Sequence, residues 1–321
     1  MSPDEVEALL AEGVGDGLPV VEPTEERLAA MGGDDVELGP VPPLFGALTS
    51  RKVAYYAVLA GCRPAELPVV VAGLRACLEP EFNLLGVQTT TGTAAVCIVV
   101  GGPVVERLGF HPGANVLGPG NRVNACVGRA VALALAGIGG ARPGETDMAT
   151  TGQPGRYTFC LPEHRTPFGG VAGRGGTGRD GSGLDGSGFD GSAVSVLAVG
   201  GTAEVLPRGG GGTVAEILDP LAHALAGAVR AAGDPTRMAS GAQAVVLPPE
   251  VAGRLAGLGE TAGSIARALY EGGTARAGHP VAASPADVHV IVSGGPGIKM
   301  LHLPGWIGGS RAVHRVLDRR S

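Results

Sequence analysis

The chain predicts an α/β fold of two pseudo-repeated, βα-rich halves, with mostly buried sheets and a cleft between them. Three observations carry that expectation. Short runs of small and β-branched residues, such as "AAVCIVV" (94–100), lie between glycines and read as buried strands. Apolar stretches of helical length alternate with these runs in both halves, the pattern of sheets covered by helices. The halves also resemble each other: Gly92, Ala95 and Val96 align with Gly241, Ala244 and Val245, and Arg107-Leu108 with Arg254-Leu255.

Each element follows from local chemistry. Residues 3–12 read as a short helix. An extended piece with Pro19 and Pro23 follows, then a helix with Thr24 as N-cap and Glu25 and Glu26 in its first turn. Helices are expected at 50–60 and 66–78, the second with Pro68 near its first turn, where proline is tolerated. The strand within 92–109 runs into a Gly-Gly-Pro turn and a short helix. A long apolar helix begins near Asn121 or Arg122 and ends at "GGARPG" (139–144), and "RYTFCL" (156–161) closes the first half as a β-rich segment. The second half repeats this order with an apolar helix at 215–231, the strand of "GAQAVVLPPEVAGRLAGLG", a helix ending in "GGTARAG" and the strand "DVHVIV" (287–292). The first half alone carries an extra segment, "FHPGANVLGPGNRVNAC", the kind of insertion in which a repeated scaffold acquires function.

The expected division is an N-terminal arm with helices (1–38), a first α/β half (39–168), a Gly/Asp/Ser-rich linker (169–191) and a second α/β half (192–321). Asp180, Asp185 and Asp190 recur every five residues in the linker, a spacing that fits neither an EF-hand nor a nonapeptide β-roll, so the segment reads as a flexible connection.

Composition narrows the function. A formal charge of −6 without any Lys/Arg cluster argues against a nucleic-acid partner. The acidic N-terminus has no basic leader region, and the longest apolar runs are short or interrupted, so the expectation is a cytoplasmic chain with no membrane partner. Five cysteines without a C-x-x-C pair, and seven histidines without paired spacing, point to no metal site. No organic cofactor motif is visible.

Several stretches offer chemistry. In "GPGNRVNACVGRA" (118–130), Gly118 and Gly120 allow close backbone approach, Asn121 and Asn124 flank a helix start, and Arg122 offers bidentate contact to an acidic group. The same residues also suit a Gly-Pro turn with an Asn cap, and neither a Walker loop nor a dinucleotide fingerprint is present. Thr89, Thr90 and Thr91 place three hydroxyls before a buried strand, either for a polar substrate or for structure. Lys299, one of only two lysines, follows a strand end, a favoured ligand position in α/β sheets and equally an ordinary surface site. Asp147 and Gln153 lie in a polar loop, where a carboxylate can serve as acid or base. Cys62 precedes a helix N-terminus, which lowers a thiol pKa; a buried packing role is the other reading.

Taken together, "DGLPVVEPTEER", "LAGCRPAELPVVVAG", "EFNLLGVQTTTG", "GPGNRVNACVGRA", "GQPGRYTFC" and "VSGGPG" resemble a family of bacterial proteins largely without assigned function. Its motifs run close to DGLPVVPPT, GPGNRxN and GQPGKYxFC, and its members occur beside or fused to UGSC-type cysteine or selenocysteine proteins. The resemblance covers most of 16–165 and, more weakly, 189–297. The chain departs from it after Cys160 and in "GCRPAEL", where Ala-Glu replaces an expected Glu-Tyr pair. The resemblance implies small-molecule chemistry, with a UGSC-type partner protein.

The expectation is therefore an enzyme acting on a small anionic metabolite, making or breaking a carbon–heteroatom bond without a cofactor. Arg122, Gly118, Gly120, Asn121, Asn124, Thr89–Thr91 and Gln153 would bind, and Cys62, Asp147 and Lys299 would do the chemistry. A homodimer is expected. The alternative is a non-catalytic binding subunit of a thiol or selenol redox system.

Overall fold

A computed structural model describes residues 2–165, 168 and 189–318. The helices are α1 (Pro3–Ala11), α2 (Glu25–Met31), α3 (Ser50–Ala60), α4 (Leu67–Cys77), α5 (Leu84–Thr89), α6 (Val104–Arg107), α7 (Arg122–Gly139), α8 (Val214–Ala231), α9 (Pro249–Gly257) and α10 (Ala262–Ala277). The strands are β1 (Glu37–Val41), β2 (Gly46–Thr49), β3 (Ala95–Gly101), β4 (Cys160–Pro162), β5 (Phe189–Val199), β6 (Ala203–Val205), β7 (Gln243–Leu247), β8 (Val288–Val292), β9 (Met300–Leu303) and β10 (Val313–Asp318).

Caps set the helix starts where side-chain oxygens were available. Thr24 accepts from the Arg27 amide, Thr49 caps α3 by accepting from Lys52, and Thr213 with Glu216 forms a capping box on α8. Gly61 ends α3 in the left-handed conformation, as the C′ position favours.

Two four-stranded mixed sheets form the centre. Their orders are β10-β5-β3-β4 and β6-β9-β7-β8. In each, the middle strand (β3 or β7) pairs parallel with one neighbour (β4 or β8) and antiparallel with the other (β5 or β9). In each the outermost strand, β10 or β6, is antiparallel to that neighbour.

The period-2 alternation of the strands divides the core into three layers of contact. Ile98 and Val100 of β3, with Val194 and Val196 of β5, pack with the residues of α3, α4 and α7. Ala95, Cys97 and Val99 point the other way and meet Ala244, Val246, Ile291 and Leu303 of the second sheet. Val245, Leu247, Val290 and Val292 then face α8, α9 and α10. The architecture is helices, sheet, sheet, helices.

This α/β architecture agrees with the sequence-based expectation, and three details of that expectation need correction. The face between the sheets is filled by apolar side chains, so no cleft opens there. Strand β5 lies across the expected linker and second half, yet it is a central strand of the first sheet; β10 joins that sheet from the C-terminal end. Residues 154–156 of "RYTFCL" and its preceding loop form a 3₁₀ turn, and the strand proper is only Cys160–Pro162. The aspartate-bearing core of the linker lies outside the described residues.

Helix α7 is the one helix, among the described residues, long and apolar enough to cross a membrane. Its Val127, Ala130, Val131, Ala134 and Leu135 are buried within the first core, the packing of a central helix in a folded domain.

Candidate functional site

The insertion that carries "GPGNRVN" folds into a compact loop held by its own side chains. Asn124 is buried and accepts from the His111 amide at 3.0 Å; its Nδ2 donates to the His111 carbonyl at 2.9 Å and to Val116 at 3.2 Å. Asn121 stands at the N-cap but does not cap the helix: its Nδ2 donates to the Asn115 carbonyl at 2.8 Å. A Cβ at Gly118 would fall 2.0 Å from the Asn115 side chain, which explains the glycine by close approach. Gly120 has φ +99, a left-handed turn before α7.

Arg122 does not await a ligand. Its guanidinium forms an ion pair with Glu66, whose side chain is 3% exposed, and donates to the Gly61 carbonyl at 3.0 Å. The bond to Glu66 raises the Arg122 pKa. The expectation that this arginine holds an anion is corrected: the partner is internal, and the pair ties the start of α7 to the start of α4.

Cys62 sits beside that pair and is buried. Burial, and then the Glu66 carboxylate, push its thiol well above the ordinary range, opposite to the lowering expected of a helix N-terminus. Desolvation wins here, so Cys62 is a packing residue and not a thiolate nucleophile. Lys299 immediately precedes β9 of the second sheet, 66% exposed, and its Nζ donates to Glu204 at 3.0 Å. Among the described residues, no group of three His, Cys, Asp or Glu side chains gathers as a metal site.

Two of the three threonine hydroxyls are engaged in the fold. Thr89 Oγ1 donates back to the Leu85 carbonyl at 2.8 Å, closing the last turn of α5. Thr90 Oγ1 accepts from the Gly92 amide at 3.0 Å and from the indole Nε1 of Trp306 at 3.0 Å, linking the halves. Thr91 contributes its carbonyl, which accepts from the Thr150 amide at 3.0 Å.

Asp147 and Gln153 are brought together, at a place the insertion does not reach. They line a cavity of about 980 Å³ between the α1 arm, the middle of α7 and the loop from 141 to 157. One wall is apolar, with Leu10, Val14, Val87, Leu133 and Ala136. The opposite side is polar. Asp147 forms an ion pair with Arg156, its carboxylate 12% exposed, and Arg156 also donates to the Ala94 carbonyl at 2.9 Å. Gln153 Nε2 donates to the Thr93 and Val199 carbonyls, at 2.5 and 2.8 Å, holding the loop against the end of β5.

Two lining residues that sequence reasoning missed complete the polar side. Arg142 is exposed and has no carboxylate partner among the described residues. Gln88 also lines the cavity, but its Nε2 is enclosed by protein and has no acceptor there. Arg142 was readable only as one of many arginines; nothing in its spacing separates it from the others.

The arm at the cavity is anchored mainly through Arg129, which donates to the Pro19 and Leu18 carbonyls at 2.9 and 3.2 Å, and by the Val21 amide, which donates to the Leu59 carbonyl at 3.0 Å. Asp16 receives two bonds from Arg129, both at 2.8 Å, with both side chains mostly buried. Helix α1 itself buries none of its residues. Neither a family model nor a protein of curated function matches the chain.

Proposed function

We propose that the protein is an enzyme that binds a small anionic metabolite in the cavity beneath the α1 arm. The carrying observation is the pairing state of its cations: Arg142 is in no ion pair among the described residues, while the other cation lining the cavity, Arg156, is already matched by Asp147. The volume suits one small-molecule ligand, and the apolar wall with a few polar groups is the usual composition of such sites. Asp147 is the acid–base candidate of this site, since Cys62 and Lys299 do not line it. The carbon–heteroatom chemistry read from the sequence attaches to Asp147 in this proposal.

Calorimetric titration with a panel of carboxylates and phosphates tests it. Binding that weakens about tenfold in Arg142→Ala and is unchanged in Lys299→Ala supports the cavity as the anion site. Proton NMR of the bound anions tests turnover, which Asp147→Asn is expected to abolish.

One observation favours a second reading. Cys62, Cys77, Cys97 and Cys160 are all buried, with burial raising each thiol pKa. Thiol or selenol chemistry, implied by the resemblance to the UGSC-associated family, would then reside on a partner protein, with this chain as its binding subunit. Anion binding without turnover, together with four thiols inert to iodoacetamide at neutral pH, favours this reading. The duplication of the two halves, the homodimer and the cytoplasmic location are parts of the proposal. The shared strand order supports the first, and sedimentation of the purified protein tests the second.

A further inference from the structure

We infer that the ligand of this cavity is a monocarboxylate with an apolar body, such as a medium-length acyl chain or an aryl acid. The inference rests on the anion-binding reading above and names the class of anion. It follows from how few cations the lining leaves unpaired. Of the carboxylates at the cavity, Asp147 is matched by Arg156 and Asp16 by Arg129. That leaves Arg142 as the one lining cation in no ion pair among the described residues, with Glu145 exposed on the same loop. A single guanidinium serves one carboxylate at most. A phosphate ester or diphosphate brings two or more negative charges into a site already holding Asp147 and Glu145, and like charges at close range repel.

The shape argues the same way. Leu133 and Ala136 of α7 face Leu10 and Val14 of the arm, so the larger part of a ligand meets hydrocarbon. A sugar or polyol there would bury hydroxyls without partners, at a cost of about 1–3 kcal/mol each. An acyl or aryl body instead gains roughly 25 cal/mol for each Å² it buries. The carboxylate has the Arg142 guanidinium as its donor. Gly13 leaves the guanidinium its place, because a Cβ on that glycine would stand 3.0 Å from Arg142 Nη2.

Titration of the full chain with octanoate, acetate, octanol and pyrophosphate tests the class. Octanoate is expected to bind at least about tenfold more tightly than acetate, octanol or pyrophosphate. Arg142→Ala should erase most of the octanoate preference over octanol while circular dichroism shows the variant folded. If pyrophosphate binds best, and Arg142→Ala removes that binding, the ligand class is overturned while the anion site stands. If octanol matches octanoate and Arg142→Ala changes neither, or if no compound binds, both the class and the anion site are overturned.

Discussion

The two halves of the molecule use one strand order and differ in how they fix the helices over it. Around α7, carboxylates with little solvent access are each held by an arginine: Glu66 by Arg122, Asp16 by Arg129 and Asp147 by Arg156. Over the second sheet most ion pairs lie at the surface, as in Arg254–Glu250 and Lys299–Glu204, and the interior closes by apolar contact. There Val281 and Ala282, both fully buried, fill the space between α10 and β7, and a Cβ on Gly273 of α10 would stand 2.9 Å from the Val281 side chain. The first half holds its 141–157 loop away from α7 and keeps a cavity. Directional bonds can hold a wall without filling the space behind it, whereas apolar packing holds only by filling.

The largest expected effect separates the two kinds of ion pair. Arg122→Ala leaves Glu66 buried with no cation, a change that costs about 3–5 kcal/mol. The same substitution at Arg254, whose partner Glu250 is one helical turn away and 44% exposed, should cost less than about 0.5 kcal/mol. Urea unfolding of the two variants measures the difference. Equal losses would mean that the halves are held in the same way.

Much of the architecture was legible in the sequence, because its signals are local. Thr24, Thr49 and Gly139-Gly140 mark helix ends by their own hydrogen-bonding and backbone preferences, and "AAVCIVV" reads as a strand by side-chain shape alone. The second Gly-Gly pair does not end its helix as expected: Gly272 and Gly273 lie inside α10, which runs on to Ala277 and is capped by Gly278. The site was less legible, since its residues act through partners far along the chain. Arg122 looked like an anion ligand until Glu66, 56 residues earlier, took its guanidinium. Cys62 precedes a helix, and only the fold shows how completely it is buried there. Asp147 and Gln153 were readable as a polar loop, but Arg142 gains meaning only from the partner it lacks. The expected cleft between halves failed for a related reason. Strand residues such as Cys97 and Ala244 alternate as buried strands do, and alternation does not say whether the opposing face is another sheet or a ligand.

A second difference concerns protons. In the second half His302 is buried and its Nε2 lies 2.5 Å from Gln243 Oε1, while Gln243 Nε2 donates to the Val281 carbonyl. That arrangement assigns the proton to Nε2 of a neutral ring. Burial lowers the His302 pKa from 6.5 to about 4. The unfolded chain then binds more protons than the folded one between those values. Stability is therefore complete above about pH 6.5 and falls as the pH drops toward 4, by about 3 kcal/mol in total from this group. His302→Gln should flatten that part of the pH dependence of unfolding. An unchanged slope would mean that His302 binds its proton as readily in the folded protein as in the unfolded chain, and that the interior of the second half is not sealed as its packing implies.

The smallest expected effect is also the most direct test of a cavity on one side only. Ala222 on α8 is buried in the second core, so Ala222→Leu must force its neighbours apart, at about 1–3 kcal/mol. Ala132 on α7 lines the cavity of the first half, and the added methylenes of Ala132→Leu have room to enter it. Its cost should stay below about 0.5 kcal/mol, and the gained burial can bring it to zero or slightly past. The same substitution should weaken octanoate binding, because the side chain takes the place of the ligand's apolar body. Thermal unfolding with and without octanoate measures both effects on one sample. A variant as destabilised as Ala222→Leu would show that the wall of α7 is already packed. A variant of unchanged stability that still binds octanoate fully would place the ligand elsewhere than against α7.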